Sequence, residues 1–241
     1  MLAWHRRSGT WDELIDRYIA LTEFARNKFI ASGLPADKIV VKPNFVAPDP
    51  GAKQCPGAYA VFVGRISKEK GLHALLDAWD RLPKNCALQI IGDGPQRQEL
   101  EQEAQRRGLS SIQFRGRLSH AETLAAIKGS YLLVMPSQWY EGFPMTIAES
   151  FACGTPVICS KLGAMQEIVN DTRTGLHFAP ANAEDLAQKL AWAFAHPSEM
   201  AAMGRAARGE YEARYTPQRA YRQLLDIYEQ TVAGYARVQP A

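Results

Sequence analysis

Short, continuously apolar runs alternate with segments of helical periodicity along most of the chain, from about Tyr59 onward. The runs VFVG, LQIIG, LLVMP and PVICS lack an alternating polar face, which is typical of strands covered on both faces. The runs IQFRG and GLHFA are also predicted strands. Helices are predicted between them over about 70–82, 95–108, 144–153 and 165–169, and from His120. This alternation predicts βαβ units around a parallel sheet, an α/β fold.

Local signals agree with these boundaries. Ser119 and Glu122 form an S-x-x-E capping box at a helix start. Thr216 is a predicted N-cap, because Pro217 follows at the first helical position. Residues 182–234 are therefore predicted to be helices only, with breaks near His196-Pro197 and Tyr215-Thr216.

The first 50 residues have a different pattern. A short helix, a strand (YIAL), a helix over residues 23–32 and a strand (KIVVKPN) lead into the proline-rich residues 48–56. That proline-rich stretch is typical of a linker. Roughly 45 residues are few for an independent core, and two strands need a larger sheet to join. We therefore expect residues 1–50 to be the end of a truncated domain with its linker, and residues 51–241 to form a second domain.

Composition excludes several classes of protein. The 241 residues are 46% hydrophobic and 22% charged, which is ordinary for a globular protein. A net charge of +3, with basic residues scattered among acidic ones, gives no footprint for nucleic acid or an anionic membrane. No apolar stretch reaches the roughly 18 residues of a membrane span, and the N-terminus is not signal-like, so we expect a cytoplasmic protein.

Cysteine and histidine spacing predicts no metal site. The four cysteines form no C-x-x-C pair and have no histidine at zinc spacing, so buried reduced thiols are expected. The five histidines are also dispersed.

The segment GRISKEKG, residues 64–71, follows an apolar strand and precedes a helical pattern. A strand, a glycine turn and a helix N-terminus together can bind an anion, because unpaired N–H groups and the helix dipole point at the turn. Arg65, Lys68 and Lys70 add positive charge there, which suits a diphosphate. The alternative is a solvated basic turn without a ligand.

The segment PSQWYEGFPMTIAES carries two glutamates, Glu141 and Glu149, with seven residues between them. Pro144 suits a first helical turn, so Glu149 is predicted inside the helix and Glu141 in the turn before it. Glu149 can then accept two hydroxyl hydrogen bonds, as from a ribose diol, while Glu141 and the first-turn N–H groups face another part of one ligand. Alternatively, both glutamates merely favour a helix start.

Other known patterns are incomplete. The GDG of residues 92–94 follows a strand, but a dinucleotide fingerprint would need a third glycine where Arg97 stands. The P-loop pattern is absent. No serine stands in a G-x-S-x-G elbow, so a hydrolase would lack its nucleophile.

The segments GRISKEKG, IGDGP, FRGRLS, EGFPMTIAE, GTPVICS and TGLHFAP occur in the order seen in retaining glycosyltransferases of family four. The chain resembles that family over roughly residues 18–230, and residues 18–46 resemble the end of its N-terminal domain. Its GT-B fold has two Rossmann-like domains with the site in the cleft between them. The resemblance implies one Rossmann-like nucleotide-sugar-binding domain with a helical C-terminal tail, residues 51–241, and a remnant of the acceptor domain.

The resemblance also implies residue roles. Arg65 and Lys70 match the basic pair that binds the donor diphosphate, Glu141 matches the glutamate facing the donor sugar, and Glu149 matches the ribose-binding glutamate. Arg65, Lys70 and Glu141 are thus the catalytic candidates. The residues implied in donor binding are Gly64, Arg115, Arg117, Leu118, Gly142, Phe143, Pro144, Met145, Thr146 and Glu149. The base would be met largely through main chain, so UDP, GDP and ADP stay open.

The implied reaction is transfer of a glycosyl group from a nucleotide diphosphate sugar to an acceptor hydroxyl with retention, as in polysaccharide biosynthesis, with no metal or other cofactor. No nucleophile is assigned. We expect this chain to be inactive alone and to need the missing N-terminal domain, in cis or from a partner subunit. That absent domain could also carry a peripheral membrane association. The alternatives are a non-catalytic nucleotide-sugar-binding module and a GT-B epimerase or hydrolase.

Two positions depart from the family pattern. Pro144 stands where many members have glycine, and proline is compatible with a first helical turn. Ala164 replaces the second glycine of the usual GG-x-x-E run before Glu167. Alanine adopts fewer backbone conformations than glycine, so the backbone near Gly163 is expected to differ slightly from the family pattern.

Overall fold

A computed structural model describes residues 2–238. The N-terminal segment contains helices α1 (Leu2–Arg7) and α2 (Thr10–Glu13), strand β1 (Tyr18–Ala20), helix α3 (Glu23–Ala31) and strand β2 (Ile39–Val41). Strands β1 and β2 pair in parallel, with Tyr18 opposite Ile39, and form a separate two-stranded sheet. The predicted strands and helix of this segment are therefore present.

The main body is a six-stranded sheet with helices around it. Its strands are β3 (Ala60–Val63), β4 (Leu88–Ile91), β5 (Ile112–Gly116), β6 (Leu132–Met135), β7 (Val157–Ser160) and β8 (Gly175–Phe178). All neighbouring pairs are parallel, in the order β5-β4-β3-β6-β7-β8. The helices between strands are α4 (Leu72–Trp79), α5 (Arg97–Arg106), α6 (His120–Gly129), α7 (Met145–Ala152) and α8 (Gly163–Ile168). The predicted Rossmann-like α/β fold is confirmed.

The continuously apolar strands are buried on both faces. Ala60 and Phe62 of β3 join one core cluster, together with α4 and α5, whereas Val61 joins the other, together with α6 and α7. This division follows from the two-residue period of a strand, since successive side chains point to opposite faces. Strand β5 carries the most polar side chains of the six because it lies at one edge of the sheet.

Three helices complete the chain: α9 (Ala183–Ala195), α10 (Pro197–Arg214) and α11 (Pro217–Val238). The predicted break at His196-Pro197 is confirmed, with Pro197 opening α10. Thr216 caps α11, since its hydroxyl accepts from Arg219 N at 3.4 Å. The capping box of Ser119 and Glu122 is also present.

The proline-rich linker lies along the main body and is bound to it by hydrogen bonds and an ion pair. Lys53 N donates to Cys153 O at 2.9 Å, and its ammonium donates to Ser130 O at 2.7 Å. Burial lowers the pKa of Lys53 to about 8. Further back, Asp49 pairs with Arg208 of α10 at 2.7 Å. These bonds order the linker although it has no regular secondary structure.

Two expectations need correction. Cys55 is exposed rather than buried, because the linker carries it on the surface, whereas Cys86, Cys153 and Cys159 are buried and free as expected. The helix predicted from residue 70 begins two residues later, because residues Lys68–Lys70 form a separate 3-10 turn. Within residues 2–238, no helix is both long and apolar enough to cross a membrane.

Candidate functional site

The candidate site lies where the strand order reverses. Strands β3 and β6 are neighbours, but the chain continues from β3 toward β4 and β5 and from β6 toward β7 and β8. The loops that follow β3 and β6 therefore diverge and leave a crevice at the carboxyl ends of the strands, where open α/β sheets bind ligands. The two motif-bearing segments of the sequence are the loops beside this crevice.

The loop after β3 is shaped by Gly71. The chain passes from Gly64 through the 3-10 turn to Gly71, whose φ is +71°, and only then enters α4. A Cβ on Gly71 would lie 2.1 Å from Pro136 O, so glycine is needed for the close approach to the loop after β6. The strand, the glycine-containing turn and the helix N-terminus thus follow one another, with Gly71 as the N-cap of α4 and the 3-10 turn between Gly64 and Gly71.

The two loops are joined by hydrogen bonds. Gln138 N donates to Glu69 O at 2.8 Å. Lys70 Nζ lies 2.6 Å from Glu141 Oε1, which also accepts from Ser137 Oγ at 2.7 Å. Both side chains of the ion pair are mostly buried. The structure thus brings together Lys70 and Glu141, two of the three catalytic candidates.

Arg65, the third candidate, lines an open cavity that neither Lys70 nor Glu141 lines. The cavity measures about 410 Å³ and is lined by Gly64, Arg65, Gly92, Asp93, Gly94 and Arg117. A Cβ on Gly92 would lie 1.9 Å from Gly64 O, and one on Gly94 would lie 2.2 Å from Ile66 O. The GDG sequence therefore lets the turn after β4 pack against the turn after β3.

Glu149 lies inside α7, and Glu141 lies in the preceding loop, as predicted. The two carboxylates have different partners. Glu149 Oε1 is 3.0 Å from His120 Nε2, and the Glu149 side chain is only 12% exposed. His120 was not among the predicted site residues. Its position directly after the capping residue Ser119, at the start of the helix that follows β5, is the signal that could have identified it.

Several other predicted residues are held by packing. Leu118 and Met145 pack against the core, and Phe143 contacts the buried Tyr215 with ring centroids 5.7 Å apart. Arg115 lies on β5 and donates to Gln89 Oε1 at 3.2 Å. These partly buried apolar side chains are held in place by the core, and the implied main-chain contacts with a ligand stay a prediction.

The start of α7 differs slightly from the prediction. Pro144 is the N-cap rather than a first-turn residue, with Met145 and Thr146 as the first helical residues. Gly142 is open, since nothing lies within 4 Å of a Cβ built on it. The first-turn N–H groups of α7 begin at Met145, three positions after this open glycine.

One carboxylate beside the crevice has a shifted pKa. The pKa of Glu69 is lowered, first by the hydrogen bond from the Ser67 hydroxyl and also by the nearby charges of Arg65 and Lys70. Glu69 therefore adds negative charge to the 3-10 turn at neutral pH, which moderates the positive field of the two basic residues. Residues 2–238 contain no group of three or more His, Cys, Asp or Glu side chains arranged to hold a metal ion. Metal independence stays a prediction.

Residues 50–210 match the sequence profile of the glycosyl transferases group 1. The chain belongs to this family. It is 32% identical over 160 residues to D-rhamnosyltransferase WbpZ of Pseudomonas aeruginosa, covering 66% of this chain and 42% of that protein. It is 31% identical over 187 residues to glycogen synthase of Mycobacterium tuberculosis, covering 76% of this chain and 45% of that protein. This group 1 chain thus spans less than half the length of these curated relatives.

Solved structures share the fold. Anabaena Alr3699/HepE, crystallised in complex with UDP and glucose, superposes with a TM-score of 0.81 at 22% identity, over 89% of this chain and 63% of that chain. A glycosyltransferase from Rickettsia africae superposes with a TM-score of 0.82 at 20% identity, over 95% of this chain and 67% of that chain. The group 1 chain therefore shares its Rossmann-like fold with part of these larger GT-B structures.

Proposed function

We propose that this chain binds a nucleoside diphosphate sugar in the crevice between the β3 and β6 loops, and that it presents the sugar for transfer with retention, as in family four. The observation that carries the proposal is the Lys70–Glu141 ion pair at 2.6 Å. It places a cation and a carboxylate side by side where the strand order reverses. A nucleotide sugar offers matching groups, an anionic diphosphate next to a polyhydroxylated ring.

The basic residues would act on the leaving group. A Lys70 ammonium has three N–H donors, so its bond to Glu141 leaves two for phosphate oxygens. Arg65 lines the adjacent cavity and can contact two oxygens at once. As the bond from the sugar to the diphosphate breaks, both cations would stabilise the charge that collects on the diphosphate. This role needs no metal, and no nucleophile is assigned.

The nucleoside would occupy the other side of the crevice. Glu149 would accept hydrogen bonds from the ribose hydroxyls in place of its present contact with His120. The main chain of residues 115–118 would meet the base, and the start of α7 would meet phosphate or sugar oxygens. The similarity to a D-rhamnosyltransferase and a glycogen synthase supports sugar transfer but leaves UDP, GDP and ADP open.

A second domain would complete the cleft. Four apolar residues of α11 are exposed at helical spacing, namely Tyr221, Leu225, Tyr228 and Val232. Ile19 of the two-stranded sheet and Phe29 of α3 are exposed as well. We propose that an α/β domain, supplied in cis or by a partner subunit, covers these surfaces and binds the acceptor. This chain alone would then bind the donor without transferring the sugar.

The same open surfaces support a candidate of another class, a non-catalytic nucleotide-sugar-binding module of a split enzyme. The DNA upstream of Met1 separates the two. An in-frame extension of about a hundred or more residues with β/α alternation favours a single-chain transferase, and a separate gene for such a domain favours the split enzyme. An epimerase or hydrolase of the same fold would release an altered or free sugar from the donor, which product analysis detects.

Calorimetric titration with UDP, GDP and ADP, and with UDP-glucose, GDP-mannose and ADP-glucose, tests the proposal. At least one nucleotide should bind. Lys70→Ala should lower the affinity for the bound nucleoside diphosphate about tenfold, and this effect should shrink as salt rises. The affinity for the corresponding nucleoside monophosphate should fall less. Lys84→Ala is the control, because this exposed lysine lies before the start of β4, at the end of the sheet away from the crevice. Binding of none of the six ligands, or equal effects of the two variants, would show that the crevice is not a diphosphate site.

A further inference from the structure

Besides the bonds of Glu141 to Lys70 and Ser137, the loop that carries Glu141, residues 136–144, is held at three further places. At its start, Gln138 N donates to Glu69 O at 2.8 Å. Near its end, Phe143 contacts Tyr215. Between these points, Tyr140 contacts Phe24, with ring centroids 4.8 Å apart. The third contact joins the main body to helix α3 of the N-terminal segment, and it is adjacent in sequence to Glu141.

Helix α3 has no fully buried residue, and Arg26 ties it to the N-terminal segment by donating to Ile39 O at 3.0 Å. Its first turn is bound by Glu167 of α8. One Glu167 oxygen accepts from Glu23 N at 2.9 Å, and the other accepts from Phe24 N at 2.6 Å. Thr22 Oγ1 accepts from Ala25 N at 3.1 Å. A carboxylate on first-turn N–H groups is a charge-assisted cap that also interacts favourably with the helix dipole.

The first residue of α8 fits the same contact. Gly163 has φ +55°, and a Cβ built on it would lie 2.9 Å from Tyr140 Cδ1 and 3.1 Å from Phe24 Cε1. Both rings therefore rest on the backbone of Gly163. Lys28, one turn along α3, places its ammonium 5.1 Å from the Tyr140 ring centroid. Helix α8 thus holds α3 through Glu167 and receives the two rings at Gly163.

We infer that Glu167 is a positioning residue for Glu141. By capping α3 it holds Phe24 against Tyr140, and the fixed Tyr140 sets the place of Glu141, which follows it in the chain. The consequence for donor binding rests on the proposed function, in which Glu141 faces the donor sugar. The mechanical part of the inference, a loop held through α3, is independent of any ligand.

Glu167→Gln tests the mechanical part, since it keeps the side chain's size but removes its charge and one of its two acceptor oxygens. Backbone ¹⁵N relaxation of the full chain should show the order parameters of residues 139–142 falling from about 0.85 toward 0.6, together with those of residues 22–26. Glu184→Gln, an exposed first-turn glutamate of α9, is the control. Loosening of residues 22–26 with an unchanged loop would overturn the inference.

Donor binding tests the rest. Glu167→Gln should lower the affinity for UDP-glucose about three- to tenfold and leave the affinity for UDP within twofold of wild type. Glu141→Ala should show the same pattern. If the base is not uracil, GDP with GDP-mannose or ADP with ADP-glucose replaces this pair. The inference is contradicted if the affinities for both ligands fall equally, or if neither affinity falls. If the wild-type chain binds no nucleotide, the proposed function fails, and the relaxation measurement still decides the mechanical part.

A second variant guards against misfolding of Glu167→Gln. Phe24→Leu removes the ring contact and leaves both Glu167 hydrogen bonds in place. It should loosen residues 139–142 without loosening residues 22–26. Phe29→Leu on the same helix, where the side chain is 45% exposed, is its matched control. An unchanged loop in Phe24→Leu would show that Tyr140 is held by other contacts.

Discussion

The main body buries its apolar side chains more completely than the N-terminal segment and helix α11 do. In the main body, strands β6 and β7 are buried at every position, and helices cover both faces of the sheet. In the N-terminal segment, two short strands form a separate sheet and α3 buries no residue fully. Helix α11 exposes a stripe of apolar residues. The first region buries its apolar side chains in a core, whereas the second exposes apolar side chains that the proposed second domain would cover.

Catalysis should separate the two regions most strongly. We predict that the purified chain binds a nucleotide sugar but transfers it to an acceptor at least about 10⁵-fold more slowly than a complete enzyme, because only one reactant is held in place. Release of nucleoside diphosphate in the presence of a panel of saccharide acceptors measures this rate. Donor binding in the same buffer is the control. Turnover of the donor by the chain alone would mean that its exposed surfaces need no partner.

The second-largest difference should be in the loss of stability when a phenylalanine is truncated in each region. Phe151 of α7 is fully buried, and Phe29 of α3 is 45% exposed. Phe151→Ala should lower the free energy of unfolding by about 3–5 kcal/mol, because it leaves a cavity in the core. Phe29→Ala should change it by less than about 0.5 kcal/mol. Urea unfolding followed by circular dichroism compares the two. Similar losses would show that the N-terminal segment has a core of its own.

Within the main body, the ribose side of the crevice should respond differently from the diphosphate side. Glu149→Ala should weaken UMP and UDP alike, by about 10- to 150-fold, because both ligands carry the ribose and lose bonds to a charged acceptor. Calorimetric titration of both ligands measures this, and Glu184→Ala on α9 serves as the control. A loss of affinity for UDP but not for UMP would show that Glu149 does not bind the ribose.

The smallest expected effect is that of a chelator. Because Arg65 and Lys70 already supply positive charge to the crevice, EDTA should leave the affinity for nucleoside diphosphate within about twofold. The comparison is between titrations with EDTA and with added magnesium or manganese. A large loss that either metal restores would show that the main body also lacks a component of its site.

Most elements of the fold were predictable because their signals are local. The apolar strands, the capping box at Ser119 and the break at Pro197 all follow from residues within a few positions of each other. The positions of Glu141 and Glu149 relative to α7 followed from the same reasoning. The 3-10 turn before α4 was missed, and the close approach of Gly71 to Pro136, which leaves no room for a side chain, involves a loop distant in sequence.

Partners in the site were harder to predict. The contact of His120 with Glu149 spans 29 residues of sequence, and neither residue's own neighbourhood indicates the other. The exposure of Cys55 likewise depends on where the linker lies on the main body, which its own composition does not determine.

By itself, the amino-acid sequence determined the α/β class, the order of helices and strands, and the loops that carry the charged residues, because hydrophobic periodicity and capping act over a few residues. Only the tertiary structure decided which charged groups meet. Lys70 and Glu141 are 71 positions apart, and Glu167 and Phe24 are 143 apart. Such contacts arise from the strand order and from the packing of α3 on α8, which depend on the burial of the whole sheet.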